Sequence, residues 1–160
     1  MTPQPGDLIM VRRGSGVFDR LVRFATTSPY FHAAIVDDPQ TLIEAGMGGV
    51  RRVDGDKYDG RSDVLAPKGA TSADRELAVQ FARMHVGLSY GWGDIVADAL
   101  RIGLHVPTGY RWRKWKHMDC SCLVAAAWAS AGVPLTFEPA PSPASLGWSP
   151  ELVGPRPWRE

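Results

Sequence analysis

The chain has 160 residues, 44% of them hydrophobic, which suits one compact domain with a sizeable core. Its 18 Lys and Arg residues nearly balance 17 Asp and Glu residues, so a formal charge of +1 gives no general attraction to nucleic acid. No apolar run approaches the roughly 18 residues that a membrane span requires. We therefore expect a single domain over residues 1–160, without a transmembrane segment.

The first half of the chain predicts a set of β-strands. Runs of β-branched and apolar residues alternate with Gly, Pro and Asp turn residues. Apolar positions at helical spacing predict one short amphipathic helix over residues 18–25. The predicted strands span residues 7–11, 31–36, 40–45, 48–53 and 62–66.

The second half of the chain is predicted to be mainly helical. Thr71 and Asp74 form a capping-box pattern that begins a helix ending near residue 86, and a further helix is expected over residues 95–104. His85 falls on the apolar stripe of the first helix, which predicts a core histidine with a satisfied ring. From about residue 133 the chain is rich in proline, and this tail is expected to wrap the domain, with one short helix near Ala144. Strands followed by helices indicate the α+β class.

The stretch Asp119-Cys120-Ser121-Cys122-Leu123-Val124 predicts a helix that begins with a cysteine. Asp119 occupies the N-cap position, apolar residues then recur on one helix face, and Gly132 supplies the stop. A thiol on the first turn lies near unpaired backbone N–H groups and the positive end of the helix dipole, which favour the thiolate. The pattern is compatible with a nucleophile, but this segment alone favours a buried structural cysteine, because free cysteines are commonly buried.

A candidate base for this thiolate lies on a predicted hairpin. If residues 37–39 form its loop, Val36 pairs with Gln40 and His32 lies directly opposite Glu44. Directly opposed residues share a face of the sheet, so Glu44 would orient the imidazole ring of His32. The alternatives are a strand-edge histidine with a satisfied ring and a solvated strand carboxylate.

Metal and cofactor sites are not indicated by the sequence. His117, Cys120 and Cys122 are close together, but a structural zinc site needs four ligands in paired spacings, and the chain has no second pair. The glycines of residues 46–49 lack the lysine and the helix start of a phosphate-binding loop. We therefore expect no metal and no cofactor.

Cations alternate with tryptophans just before the predicted cysteine helix. Such a pattern can grip phosphates, stack on bases or insert into a lipid headgroup layer, and here it could also form one wall of a substrate cleft. A solvated loop whose tryptophans pack on the core accounts for it equally well. The residues of this candidate anionic-ligand patch are Arg111, Trp112, Arg113, Lys114, Trp115 and Lys116.

Together, these motifs resemble the NlpC-type cysteine peptidases, whose nucleophile lies in an Asp-Cys-Ser-Gly-Leu-Val stretch at a helix start. Residues 87–93 are similar to the Gly-x-x-Tyr segment of that family. Because His32 precedes Cys120, the order resembles the circularly permuted branch, the YiiX/YebB-like papain-fold hydrolases. The runs Gly-Asp-Leu-Ile at 6–9 and Ile-Glu-Ala at 43–45 also match that branch. The resemblance implies a permuted papain-like α+β fold, with an antiparallel sheet packed against helices.

The resemblance also implies roles for individual residues. Cys120 would be the nucleophile, His32 the general base, and Glu44 the carboxylate that orients the ring. Cys122 replaces the glycine usual in the family motif and crowds the second position after the nucleophile. The residues implied on the substrate or oxyanion side are Tyr90, Ser121 and Asp119.

The expected function is hydrolysis of an amide or peptide bond through a thioester, with peptidoglycan stem peptides as the first substrate class. One alternative is a lipid acyl hydrolase or acyltransferase, which permuted relatives also suggest. Another is a ligand-binding or phage structural module that keeps the fold without turnover. The expected partner is a peptide or cell-wall fragment, with lipid as the second option and no specific nucleic acid.

The expected location follows from the N-terminus and the cysteines. Residues 1–7 lack the basic start and apolar stretch of an export signal. Cys120 and Cys122, two residues apart in one predicted helix, are a poor disulfide pair and suit a reducing compartment. The sequence predicts a cytoplasmic protein, or one carried in a phage particle or released on lysis.

Overall fold

A computed structural model of the chain describes residues 3–12, 28–89, 118–138 and 141–157. Within these ranges the strands form a six-stranded antiparallel sheet in the spatial order β4-β3-β2-β1-β5-β6. The strands are β1 (Leu8–Val11), β2 (His32–Asp38), β3 (Thr41–Gly46), β4 (Gly49–Asp54), β5 (Ser62–Pro67) and β6 (Leu152–Pro157). The helices are α1 (Ser72–Met84), α2 (Cys120–Ser130) and α3 (Pro143–Gly147), with a 3-10 helix (Gly55–Tyr58) between β4 and β5.

The α+β class and all five predicted strands are confirmed, and the short helix near Ala144 is present as α3. The sixth strand was not predicted, because Pro155 and Pro157 argue against a strand in the sequence. β6 pairs with β5 at the end of the described sheet, where a strand can contain proline without breaking a ladder on both sides. The helices predicted over residues 18–25 and 95–104 lie outside the described residues.

Helix α1 begins as predicted. The side chain of Thr71 accepts a hydrogen bond from the Asp74 N–H, and the Asp74 carboxylate accepts one from the Thr71 N–H. Ala78, Val79 and Ala82 are buried on this helix, whereas Leu77 is 50% exposed.

His85 is not a core histidine, so that prediction was wrong. It caps the C-terminus of α1 and is only partly buried. Its Nδ1 lies 2.7 Å from the carbonyl oxygen of Phe81, and its ring stacks on the Phe81 ring at a centroid distance of 4.1 Å. The ring does have partners, but they lie at a helix end rather than in the core.

Helix α2 is the central helix of the described structure. Nearly its whole circumference is buried rather than the single face that the spacing predicted, since residues 123–128 are all buried. It packs against α1 and against strands β2 and β3. The side chain of Trp128 is fully buried, and its Nε1–H donates to the carbonyl oxygen of Gly6 at 3.0 Å. The helix ends before Gly132, whose φ of +80° confirms the predicted stop.

Both faces of the central strands are buried. Leu8, Met10 and Ile35 belong to the core cluster that includes α2, whereas Ile9 and Val36 belong to a second cluster on the other face. Burial on both faces explains why these strands have continuous apolar runs. No helix among the described residues is long and apolar enough to cross a bilayer.

Gly49, at the start of β4, allows the backbone of residues 87–88 to approach the strand closely. The N–H of Val50 donates to the Leu88 carbonyl oxygen at 2.8 Å, and the N–H of Gly87 donates to the Val50 carbonyl oxygen at 2.8 Å. Gly49 has a φ of +93°, and a Cβ there would lie 2.3 Å from the Leu88 oxygen. Glycine at this position therefore lets the segment that leads to Tyr90 run beside β4.

Candidate active site

The candidate base lies on the hairpin of β2 and β3, but its register differs from the prediction. Ala34, rather than His32, lies directly opposite Glu44, and a bulge interrupts the ladder between Val36 and Asp38. The difference of two residues leaves each side chain on its predicted face of the sheet. His32 and Glu44 are consequently diagonal neighbours, with Nε2 and Oε2 3.1 Å apart. The expected contact is present, through a different pairing.

Glu44 is 1% exposed and accepts hydrogen bonds from four side chains. Its Oε2 faces His32 and accepts from the Tyr58 hydroxyl, while Oε1 accepts from Lys57 and from two nitrogens of Arg51 at 3.0 and 3.1 Å. Burial alone would raise the pKa of Glu44. The hydrogen bond and charge of His32, with the bonds from Lys57 and Tyr58, outweigh burial and hold that pKa far below its ordinary value. Glu44 is a buried carboxylate, not a solvated one.

Cys120 is the first residue of α2 and is 8% exposed. Its Sγ lies 3.8 Å from the hydroxyl of Ser121, which is itself buried. Asp119 is the N-cap, since its Oδ1 accepts from the N–H of Cys122 at 2.7 Å. The predicted helix start at the cysteine is therefore confirmed.

The imidazole of His32 interacts with both Cys120 and Glu44. Burial would lower the pKa of His32, but the charge and hydrogen bond of Cys120, together with those of Glu44, raise it to about 9. Because Nε2 faces Glu44, Nδ1 is the ring nitrogen left for the sulfur. The ring of His32 thus lies between Glu44, which it meets at Nε2, and Cys120, whose charge and hydrogen bond act on the ring.

Other residues singled out in the sequence have different outcomes. Cys122 is partly buried and packs against the main core cluster. Tyr90 and the anionic-ligand patch of residues 111–116 lie outside the described residues. Their predicted roles stay predictions.

Sequence reasoning missed three partners of Glu44. Arg51 lies directly opposite Glu44 across β3 and β4, so pairing the two predicted strands around the glycines at 46–49 could have found it. Lys57 and Tyr58 belong to a 3-10 helix of four residues. Such a short helix leaves no periodic pattern in the sequence.

The carboxylate of Glu44 should make a pH-dependent contribution to stability. Its pKa in the folded protein is lower than its ordinary value of 4.5, so its stabilisation is fully present above pH 4.5 and is lost as the pH falls through the folded pKa. We expect Glu44→Gln to lower the free energy of unfolding at pH 6 by about 3 kcal/mol, because Arg51 and Lys57 lose their counter-charge. Between pH 4.5 and 3, the difference from wild type should shrink by about 2 kcal/mol.

Urea unfolding of both proteins at pH 6 and pH 3 measures this difference. Glu76→Gln, a matched change at an exposed glutamate of α1, should leave both values nearly unchanged. A Glu44→Gln difference that is the same at the two pH values would contradict the expectation.

Comparison with known proteins extends the description of the fold. No family model and no curated protein matches the chain. Among solved structures, the chain is similar to the metalloprotein YiiX from Escherichia coli O157:H7, with a TM-score of 0.74 and 17% sequence identity, over 98% of this chain and 99% of that one. The chain has a YiiX-like fold. At this identity the likeness concerns the fold alone, and it agrees with the YiiX-like part of the sequence resemblance.

Proposed function

We propose that this protein is a cysteine hydrolase of the permuted papain-like type, which cleaves an amide or peptide bond through a thioester intermediate. The observation that supports this most is the contact series from Cys120 through His32 to Glu44. Each residue comes from a different element, and the carboxylate is held by further donors. A purely structural cysteine needs no charged imidazole beside it, whereas a nucleophilic cysteine does.

In the resting state, the imidazolium of His32 stabilises the thiolate of Cys120. The raised pKa of His32, about 9, keeps the ring protonated at neutral pH while it has the sulfur and Glu44 as neighbours. Glu44 holds the ring through Nε2, and Nδ1 remains as the ring nitrogen available to the sulfur. The site is therefore charged and oriented before a substrate arrives.

In acylation, the sulfur of Cys120 attacks the carbonyl carbon of the substrate, a C–S bond forms, and the carbonyl oxygen becomes an oxyanion. The first hydrogen bond of α2 is from Leu123 N to Asp119 O, so the helix ladder does not use the N–H groups of Cys120 and Ser121. We assign the N–H of Cys120 to the oxyanion, as the resemblance implies. The C–N bond then breaks, and His32 gives its proton to the leaving amine.

In deacylation, His32 acts as the base. The neutral ring takes a proton from a water molecule, whose oxygen attacks the thioester carbon. The C–S bond breaks, the carboxylic acid leaves, and the thiolate–imidazolium pair is restored. Glu44 stabilises the imidazolium in both halves of the reaction.

A metal ion does not fit this set of donors, although the similar YiiX is a metalloprotein. Both oxygens of Glu44 already accept from side chains, and two of those, Arg51 and Lys57, are cations that would repel a metal ion. Over the described ranges, no three His, Cys, Asp or Glu side chains are grouped so that they could hold a metal. The proposed reaction therefore uses the side chains alone.

Incubation with two substrate classes tests the proposal. Purified peptidoglycan fragments offer amide bonds in stem peptides, and short acyl esters offer the bond of a lipid acyl hydrolase. We expect a new amine and a new carboxylate from the peptide fragments, and none from the Cys120→Ser variant. With a poor substrate, mass spectrometry should detect an acyl adduct on Cys120.

The outcomes separate the alternatives. Cleavage of the acyl esters alone would replace the peptide proposal by the lipid one. If the folded protein gives neither a product nor an adduct with peptidoglycan fragments or acyl esters, a binding or structural module is favoured.

A further inference from the structure

We propose that Tyr58 is a positioning residue of this site: its hydroxyl holds Oε2 of Glu44 against the ring of His32. The inference rests on the proposed function, because it assigns Tyr58 a part in presenting the base to Cys120. Tyr58 would act through Glu44 and would not touch the substrate.

The position of Tyr58 is closely defined by its surroundings. It ends the 3-10 helix and is 7% exposed, with its ring in the cluster that includes Ile9 and Val11. Its hydroxyl donates to the same Glu44 oxygen that lies 3.1 Å from His32 Nε2. The Tyr58 and His32 ring centroids are 5.7 Å apart.

The other oxygen of Glu44 explains why a donor is needed here. Oε1 accepts from Arg51 and Lys57, so two cations attract the carboxylate away from His32. Without a second donor on Oε2 beside His32, the carboxylate could rotate toward these cations. The Tyr58 hydroxyl opposes that rotation with a hydrogen bond but without adding another charge.

The hydroxyl also keeps its proton over the working pH range. Burial first, and then the charge of Glu44 and their hydrogen bond, raise the pKa of Tyr58 far above its ordinary value, and the charge of Cys120 acts in the same direction. Arg61 acts in the opposite direction. Tyr58 therefore stays a donor at pH values where His32 titrates.

The charged groups around the pair come from several elements. Cys120 faces His32 from α2, Arg51 faces Glu44 from β4, and Lys57 from the 3-10 helix. Lys57 Nζ and Arg61 Cζ lie 5.0 and 5.4 Å from the centroid of the Tyr58 ring. Tyr58→Phe keeps the ring beneath these cations and removes only the hydroxyl.

Two measurements on Tyr58→Phe test the inference. Titration of the histidine ring nitrogens by NMR should show the pKa of His32 lowered by about one pH unit, because the ring loses part of its contact with Glu44. Alkylation of Cys120 by iodoacetamide at pH 6 should be up to about tenfold slower, because a ring that Glu44 holds less firmly is oriented less well toward the sulfur and stabilises less thiolate. In a Glu44→Gln background, the same substitution should have no further effect on alkylation.

Tyr30→Phe is the matched control. Tyr30 is also 7% exposed, and its hydroxyl donates to the buried carboxylate of Asp63 at 2.8 Å, in the core cluster on the other face of the sheet. Tyr30→Phe should lower the free energy of unfolding about as much as Tyr58→Phe does. It should leave the His32 pKa and the Cys120 alkylation rate at their wild-type values.

The possible results separate this inference from the proposed function. If Tyr58→Phe matches Tyr30→Phe in both readouts while wild-type Cys120 is rapidly alkylated, the positioning role is overturned and the proposed function stands. If wild-type alkylation at pH 6 is no faster than that of His32→Ala, the proposed function is overturned, and the positioning role with it.

Discussion

Replacing His32 by alanine is expected to slow the alkylation of Cys120 by iodoacetamide about 100-fold at pH 6.5. An ordinary thiol, with a pKa near ~8.5, is about 1% thiolate at that pH, whereas a cysteine paired with an imidazolium is mostly thiolate. The ring of His32 supplies this charge, since its pKa is raised to about 9 by Cys120 and Glu44 despite burial. The rate of adduct formation, followed by mass spectrometry of the modified peptide, measures the effect.

Two internal comparisons make this result specific. Cys122 lies on the same helix, is partly buried and packs on the core, so its slow labelling should not change with the variant. His85→Ala removes a partly buried histidine at the end of α1 and should leave the Cys120 rate unchanged. Equal, slow labelling of both cysteines in wild type would mean that His32 does not activate the thiol, and would favour a binding module.

The second large effect concerns stability. Trp128→Ala is expected to lower the free energy of unfolding by about 3–5 kcal/mol, because it empties a fully buried site in the main core cluster. The substitution also removes the donor to the Gly6 carbonyl oxygen, so a buried acceptor loses its partner. Urea unfolding at neutral pH measures the change.

Trp128→Phe separates these two contributions. It keeps an aromatic ring in the site but removes the indole N–H, so we expect a smaller loss than with alanine. A loss below about 1 kcal/mol for Trp128→Ala would show that the site collapses around the smaller side chain, contrary to the expectation.

Most strands were predictable because their apolar runs end at turn residues. The β2–β3 register was not, because the Asp-Asp-Pro sequence that resembles a loop contains a bulge. Asp37 lies at that bulge and is buried, and its carboxylate accepts from Arg52 of β4 at 2.9 Å and from Arg83 of α1 at 2.6 Å. These partners lie on other elements, so local sequence rules could not identify them.

The candidate site was predictable only in part, for a similar reason. Cys120 has a helix-start signal, and His32 and Glu44 lie on strands with clear patterns. Tyr58 has no local signal, since its importance comes from the carboxylate that its hydroxyl meets across the fold. The burial of residues on α1 also depends on how the helix packs against other elements, since Leu77 is exposed and His85 lies only partly buried at the helix end.

The site residues are unequally distributed along the chain. His32, Glu44 and the three further donors to Glu44 all lie within residues 32–58, whereas the Cys120 sulfur comes from a helix that begins at residue 120. Contacts at short sequence separation can form without waiting for distant segments. The part of the site within residues 32–58 can thus assemble as a local unit, and a small shift of α2 would separate the sulfur from His32 while leaving that unit intact. The rate at which the Cys120 thiol reacts would then report whether α2 is packed in its native position.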